Sequence, residues 1–126
     1  ELGRTSDVID RIVKFAPGTL RPPYGAMTAR QRRIAHTRFG MPTVIWSVDT
    51  RDWQRPGSAV VADRVIRNAH NGAIVLAHDI HPPTIAAMPS AVDGLIRRGF
   101  GFLTVSEILG LDVKKPPSPL DLIALM

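Results

Sequence analysis

The feature that most constrains the fold is a regular alternation between short apolar runs and helix-like segments along the 126 residues. The runs at 19–21, 43–48, 73–77 and 101–105 are too short for helices and are typical of strands. Segments with apolar residues at helical spacing surround them, in the order α-β-α-β-α-β-α-β-α. This order predicts an α/β fold in which right-handed crossovers connect parallel strands. It leaves open whether the strands form an open sheet or part of a barrel.

Several helices have recognisable ends. Thr28 is expected to cap a helix that runs to about Arg38, and Gly40 to end it in a left-handed conformation. Another helix is predicted to begin at Pro82 and to end near Gly99. Its large apolar residues are expected to face inward: Ile85, Met88, Val92, Leu95 and Ile96.

The composition is that of one ordinary globular domain. Hydrophobic residues make up 44% of the chain and charged residues 21%, so the chain is able to bury a core. The absence of cysteine excludes disulfides, thiolate nucleophiles and cysteine-bound metal. No run of residues approaches the roughly 18 apolar positions that a membrane span needs.

A net charge of +5 invites an anionic partner, and the densest basic segment is 30–38. Phosphate binding there would be one interpretation, but no aromatic stacking platform accompanies the arginines. The interpretation that we favour is the solvated face of a surface helix, with Ile34 and Phe39 turned inward. Nucleic-acid binding is therefore the last-ranked function class.

Three strand-like runs end in chemically capable side chains, at 21–25, at 49–53 and at 78–79. Side chains just past the carboxyl ends of parallel strands converge on one edge of such folds, where enzymes of this architecture place their chemistry. Arginine, carboxylates, tryptophan and histidine are thus expected to meet there. The sequence predicts an active site, or part of one.

The candidate chemistry of these clusters includes a general acid or base at His78, because histidine is a common proton donor and acceptor in catalysis. A neighbouring carboxylate, Asp49 or Asp52, would orient its ring. Arg21 presents a planar fork for a carboxylate, and the amide of Tyr24 is a candidate oxyanion donor. Each residue also has a structural interpretation: a packed histidine, turn-forming aspartates and a rigid proline turn. No nucleophile motif is present, so the set favours hydrolysis by an activated water molecule.

The three clusters, in this order and spacing, resemble the third, fourth and fifth motifs of the polysaccharide deacetylase family (the NodB-homology domain, carbohydrate esterase family 4). The matching segments are Arg21-Pro22-Pro23-Tyr24-Gly25, Asp49-Thr50-Arg51-Asp52-Trp53 and Ile74-Val75-Leu76-Ala77-His78-Asp79. The resemblance implies the C-terminal part of a distorted (β/α) barrel that needs an N-terminal segment to close. Residues 1–112 would be that catalytic part, and 113–126 a tail expected to dock or to pair with another chain.

Residue by residue, the resemblance implies that His78 is the general acid and that Asp52 orients and tunes it. Arg21 would hold a catalytic-base aspartate, and the Tyr24 amide would stabilise the tetrahedral oxyanion. The candidate substrate-binding residues are Leu76 for the acetyl methyl, Trp53 for a wall of the groove, and Pro23 and Asp49.

The family's first and second motifs, which provide the base and the metal ligands, have no counterpart in this sequence. The other histidines, His36, His70 and His81, do not have the ligand spacing of the second motif. The resemblance therefore implies a divalent metal, zinc above all, with no ligand in this chain. We expect a second polypeptide, separated by proteolysis, to carry the metal-binding half.

The implied activity is metal-dependent removal of N-acetyl groups from an amino-sugar polysaccharide such as peptidoglycan or a chitin-like polymer. Two alternatives stay open: an O-acetyl xylan esterase of the same family, and an inactive carbohydrate-binding fragment. The substrates imply a secreted or cell-envelope location.

Overall fold

The computed structural model describes residues 1–111, which form two compact units. The first unit comprises Glu1–Ile45 together with the chain from Ser106, and the second comprises Trp46–Val105. The predicted tail at 113–126 lies outside the described residues.

Helices dominate both units, as the alternation predicts. The α-helices are α1 (Leu2–Val13), α2 (Ala29–Phe39), α3 (Ser58–Asn68), α4 (Pro82–Arg97) and α5 (Val105–Ile108). Short 3-10 helices lie at Pro23–Gly25 and Asp52–Gln54. Within residues 1–111, no helix combines the length and the apolar character that a bilayer span requires.

The strands are parallel, as predicted, but shorter than the apolar runs. In the second unit, β1 (Val48–Asp49) pairs with β2 (Val75–Leu76). In the first unit, a single parallel bridge joins Leu20 to Thr43. The predicted strand at 101–105 is wrong, because residues 101–104 are not in strand conformation and Val105 already begins α5.

The first unit is organised around α2. Thr28 caps this helix as predicted: its hydroxyl accepts the Gln31 amide at 3.2 Å, and the Gln31 side chain accepts the Thr28 amide at 2.8 Å. Gly40 ends the helix in a left-handed conformation, at φ 64°. Ala35 is buried and Ile34 half-buried, whereas Phe39 is exposed, contrary to the prediction that it faces inward. The arginines of the basic segment are exposed.

The core of the second unit lies between α3 and α4. Its buried members are Val61, Ala62, Val65, Ala87, Ala91 and Leu95. Of the α4 residues predicted to face inward, Leu95 is buried and Met88 packs against the core, but Ile85, Val92 and Ile96 are exposed. The small residues of α4 pack against α3. The two helices are so close that a Cβ added at Gly94 would lie 2.7 Å from Cγ1 of Ile66. The close approach of the two helices, rather than the spacing of the large apolar residues, thus determines which face of α4 is buried.

Candidate active site

The centre of the second unit is a carboxylate–imidazole pair formed by Asp52 and His78. Oδ1 of Asp52 lies 2.7 Å from Nδ1 of His78, and Oδ2 accepts the backbone amide of His78 at 2.6 Å. Asp52 is only 1% exposed, whereas the His78 side chain keeps 35% of its surface exposed. One side chain therefore binds both the ring and the main chain of the histidine, and the ring still reaches solvent.

The parallel strand pair brings these two residues together. Val48 and Asp49 are in register with Val75 and Leu76, so the segments that follow the two strands emerge side by side. Thr50 extends the pairing, because its amide and its hydroxyl both donate to the Leu76 carbonyl, at 3.4 Å and 2.9 Å. Asp52 then lies two residues past Thr50, and His78 two residues past Leu76.

A short 3-10 helix, Asp52–Gln54, presents the carboxylate. It is bracketed by two residues in the left-handed region, Arg51 (φ 48°) and Arg55 (φ 54°). Non-glycine residues adopt this region at a cost of about 1–2 kcal/mol each. Such a conformation persists where the surroundings enforce it, and it is common at functional sites.

The beginning of α4 provides a third contact to the carboxylate. The Thr84 hydroxyl donates to Oδ2 of Asp52 at 2.9 Å, and Thr84 is only 3% exposed. Asp52 thus accepts hydrogen bonds from the ring and the amide of His78 and from Thr84. The carboxylate is buried, but protein groups donate hydrogen bonds to it in place of water.

These donors explain the electrostatics of Asp52. Burial by itself would raise its pKa, but the bonds from the His78 ring, the His78 amide and Thr84 outweigh burial and lower the pKa from 3.8 to about 2. The charge that His78 carries when protonated acts in the same direction. Asp52 is therefore ionised at neutral pH.

The pair leaves one ring nitrogen of His78 for chemistry. Because Nδ1 is bonded to Asp52, Nε2 is the atom that is able to exchange a proton with a ligand. The His81 ring lies edge-on to the His78 ring, with centroids 6.2 Å apart. An exposed imidazole with a carboxylate behind it is an arrangement suited to general acid–base catalysis.

Three further predicted residues lie on the same segments of the second unit. Leu76 is buried at the end of β2, only 6% exposed. Asp49 is exposed and accepts the Arg51 amide at 2.8 Å. Trp53 follows Asp52 and is 58% exposed.

The remaining predicted residues lie in a tight turn of the first unit. Pro22 is buried, whereas Arg21, Pro23 and Tyr24 are exposed. The amides of Gly25 and Ala26 close the turn on the carbonyls of Pro22 and Pro23, each at 3.0 Å. Tyr24 adopts a left-handed conformation, at φ 56°, and its side chain is 99% exposed.

Residues 1–111 do not provide a metal centre of their own. No three His, Cys, Asp or Glu side chains in this part of the chain converge closely enough to hold an ion. The Asp52 oxygens are already bonded to His78 and Thr84.

Sequence reasoning missed the polar residues that support the pair. Thr84 is not among the predicted site residues, and Thr50 enters only as a member of the second matching motif segment. Arg64, whose Nη1 donates to the Thr50 carbonyl at 2.7 Å, was not identified at all. The sequence does contain an indication for Thr84, which lies in the first turn of a helix. A hydroxyl at such a position is able to bond to a neighbouring loop.

The chain is similar to proteins that act on peptidoglycan. It is 36% identical over 116 residues to the peptidoglycan-N-acetylglucosamine deacetylase PgdA of Listeria monocytogenes, covering 84% of this chain and 24% of the relative. No family model matches the chain.

Two solved structures extend the similarity to the fold. Peptidoglycan deacetylase PdaC from Bacillus subtilis superposes with a TM-score of 0.76 and 30% identity, over 86% of this chain and 52% of that one. A CE4 family pseudoenzyme from Bacillus anthracis superposes with a TM-score of 0.80 and 33% identity, over 85% and 37%. The chain thus spans about a quarter of the PgdA sequence and about half of the PdaC structure.

Proposed function

We propose that this chain is the C-terminal portion of a polysaccharide deacetylase domain and that it supplies the general acid of a metal-dependent hydrolase. The substrate would be an N-acetylated amino-sugar polysaccharide, peptidoglycan or a chitin-like polymer. The observation that carries the proposal is the Asp52–His78 pair, in which a buried carboxylate lies 2.7 Å from an exposed imidazole.

In this reaction water adds to the acetyl carbon, and the carbon–nitrogen bond then breaks. The departing amine needs a proton, and Nε2 of His78 is the donor that the geometry favours. Asp52 keeps Nδ1 as a hydrogen-bond donor and stabilises the imidazolium by its charge. The products are acetate and a free amino sugar.

The other predicted residues have complementary parts in the proposal. Arg21 would hold the catalytic-base aspartate, and the Tyr24 amide would bind the oxyanion of the tetrahedral intermediate. Leu76 would contact the acetyl methyl. The proposed substrate contacts in the groove are Trp53, Pro23 and Asp49.

We further propose that the base aspartate and the ligands of a zinc ion lie outside this chain, on a second polypeptide. Exposed apolar residues on α1, among them Ile12 at 71%, offer a surface for such a segment. Mass spectrometry of the purified native protein would test it, because a single species of 13.8 kDa that is soluble and monodisperse would contradict it.

The location proposed for the protein is outside the cytoplasm, secreted or in the cell envelope. The support is the chemistry of the substrate, because peptidoglycan, the polymer in the names of PgdA and PdaC, is a cell-wall component.

The activity is tested by acetate release from N-acetylated chito-oligomers, from peptidoglycan and from O-acetylated xylan, with metal analysis of the same sample. The proposal expects acetate from an amino-sugar substrate and none from xylan. Release from xylan alone would establish an esterase instead. No release from any substrate would contradict the enzyme proposal.

One observation favours an inactive carbohydrate-binding protein as the second candidate. The pseudoenzyme shares 33% identity and a TM-score of 0.80 with this chain, so the fold itself does not guarantee turnover. This candidate predicts saturable oligosaccharide binding without acetate release, and it would require Trp53 for that binding.

A further inference from the structure

We propose that Arg64 is a positioning residue for the general acid, whose guanidinium holds the loop that carries Asp52 in the conformation that reaches His78. The inference rests on the proposed function, since it assigns Arg64 to the same Asp52–His78 pair. Arg64 lies on α3, belongs to none of the three motif clusters and touches neither member of the pair.

The contacts of Arg64 are to the main chain of the loop. Its Nη1 donates to the Thr50 carbonyl at 2.7 Å and approaches the Arg51 carbonyl at 3.5 Å. These two carbonyls immediately precede Asp52. A charged donor bonded to a carbonyl is among the stronger hydrogen bonds in proteins, and the bond is partly buried here.

The loop needs such support because Arg51 is in the left-handed region, at φ 48° and ψ 37°. A non-glycine residue in that region tends to relax unless its peptide groups are held. The Arg51 amide is held by Oδ1 of Asp49 at 2.8 Å, and the carbonyls on either side of its α-carbon face Nη1 of Arg64. Asp49 and Arg64 thus bind the N–H and the C=O of the Thr50–Arg51 peptide group, and Arg64 also approaches the carbonyl on the other side of Arg51.

Thr50 connects this support to the strand that leads to His78. It is fully buried, and its amide and hydroxyl bind the Leu76 carbonyl while its own carbonyl binds Arg64. Loss of the Arg64 contact would leave Thr50 attached on the strand side only. The position of the Asp52 carboxylate relative to the His78 ring would then vary. A misplacement of about 1 Å in a catalytic site costs about 10²-fold in rate.

Arg67 on the same helix provides a matched control. Its Nε pairs with Asp63 at 2.6 Å, but both side chains are largely exposed, at 77% and 52%. Substituting Arg67 removes the same charge from the same helix without touching the loop. Arg64 also lines a cleft of about 350 Å³ together with Asp49 and Arg51, so truncation there admits water and small solutes.

The test compares Arg64→Ala, Arg64→Lys and Arg67→Ala in the complete native protein. We expect Arg64→Ala to lower kcat at least about tenfold with KM within about twofold, and Arg64→Lys to retain most of the activity, because a lysine ammonium is also able to donate to the Thr50 carbonyl. Arg67→Ala should match the wild type. Low concentrations of guanidinium ion should restore part of the kcat of Arg64→Ala, because the cleft admits the missing group.

A spectroscopic readout separates this inference from the proposed function. The His78 Nδ1 proton, bonded to Asp52, should give a downfield NMR signal that broadens or shifts in Arg64→Ala and is unchanged in Arg67→Ala. If the wild type releases no acetate, the proposed function fails, while this signal still decides the role of Arg64. Equal kcat and equal His78 signals in Arg64→Ala and Arg67→Ala would overturn the inference.

Discussion

The two units of the chain differ in how many of their residues are buried and in how many candidate site residues are hydrogen-bonded to one another. Among residues 1–111, eight of the eleven buried hydrophobic residues lie in Trp46–Val105, and three lie in the first unit. The second unit also buries Thr50, Asp52 and Thr84, with their hydrogen bonds formed. In the first unit, α1 has no buried residue within the described chain, and Tyr24 is 99% exposed. The Asp52–His78 pair is thus complete inside one unit, whereas Arg21, Pro23 and Tyr24 of the other unit are exposed.

The largest effect that tests this contrast is expected from His78→Ala. Acetate release should fall about 10²–10⁴-fold, because the departing amine loses its proton donor, while the metal content of the complete protein stays unchanged. His70→Ala is the control, since His70 is an exposed histidine of the same unit. Full activity of His78→Ala would remove the pair from the mechanism.

Asp52→Asn should reduce both activity and stability. The amide lacks the negative charge that stabilises an imidazolium, and its NH₂ group is unable to accept the Nδ1 proton, so kcat should fall about 10²-fold or more. The free energy of unfolding should fall by about 1–3 kcal/mol, because buried donors lose a charged acceptor. Steady-state kinetics and urea denaturation measure the two effects. Asp63→Asn, an exposed carboxylate on α3, should change neither; an unchanged Asp52→Asn would contradict the proposed role of the charge.

Acid should destabilise the second unit in a defined interval. The pKa of Asp52 is about 2 in the folded chain and 3.8 as its ordinary value, so the ionised carboxylate stabilises the fold above pH 3.8. That stabilisation, about 2 kcal/mol, should be lost as the pH falls from about 4 to about 2. Both tryptophans lie in the second unit, so denaturation followed by tryptophan fluorescence reports it. The same pH dependence in Asp52→Asn would assign the effect to other carboxylates.

The smallest effect is expected in the first unit, from Thr28→Ala. The substitution removes the capping box of α2 and should cost about 1 kcal/mol. Hydrogen exchange of the α2 amides should accelerate about fivefold, and Thr28→Ser should restore the wild-type rate. Unchanged exchange would mean that tertiary packing rather than the cap limits opening of this helix.

Sequence reasoning was strongest where a local chemical rule applies. The Thr28 cap, the left-handed Gly40 and the parallel pairing follow from such rules, and the motif spacing placed Asp52 and His78 among the candidates. It was weakest where tertiary packing decides. The inward face of α4 was misassigned, because close packing on α3 selects Ala87, Ala91 and Gly94 over Ile85 and Ile96. Arg64 was invisible, since its partners are backbone carbonyls that no side-chain pattern reveals.

Two hydrogen bonds join His78 to Asp52, and this double contact makes the pair sensitive to errors in strand pairing. The same carboxylate binds the main chain and the ring of one residue, so a slip of β2 by a single position would separate both bonds together. A chain with mispaired strands would then bury the Asp52 carboxylate without its two hydrogen bonds to His78, which costs free energy. A fold with misaligned strands is therefore less stable than the native fold even without substrate. Misfolded forms that keep part of the site are disfavoured for the same reason.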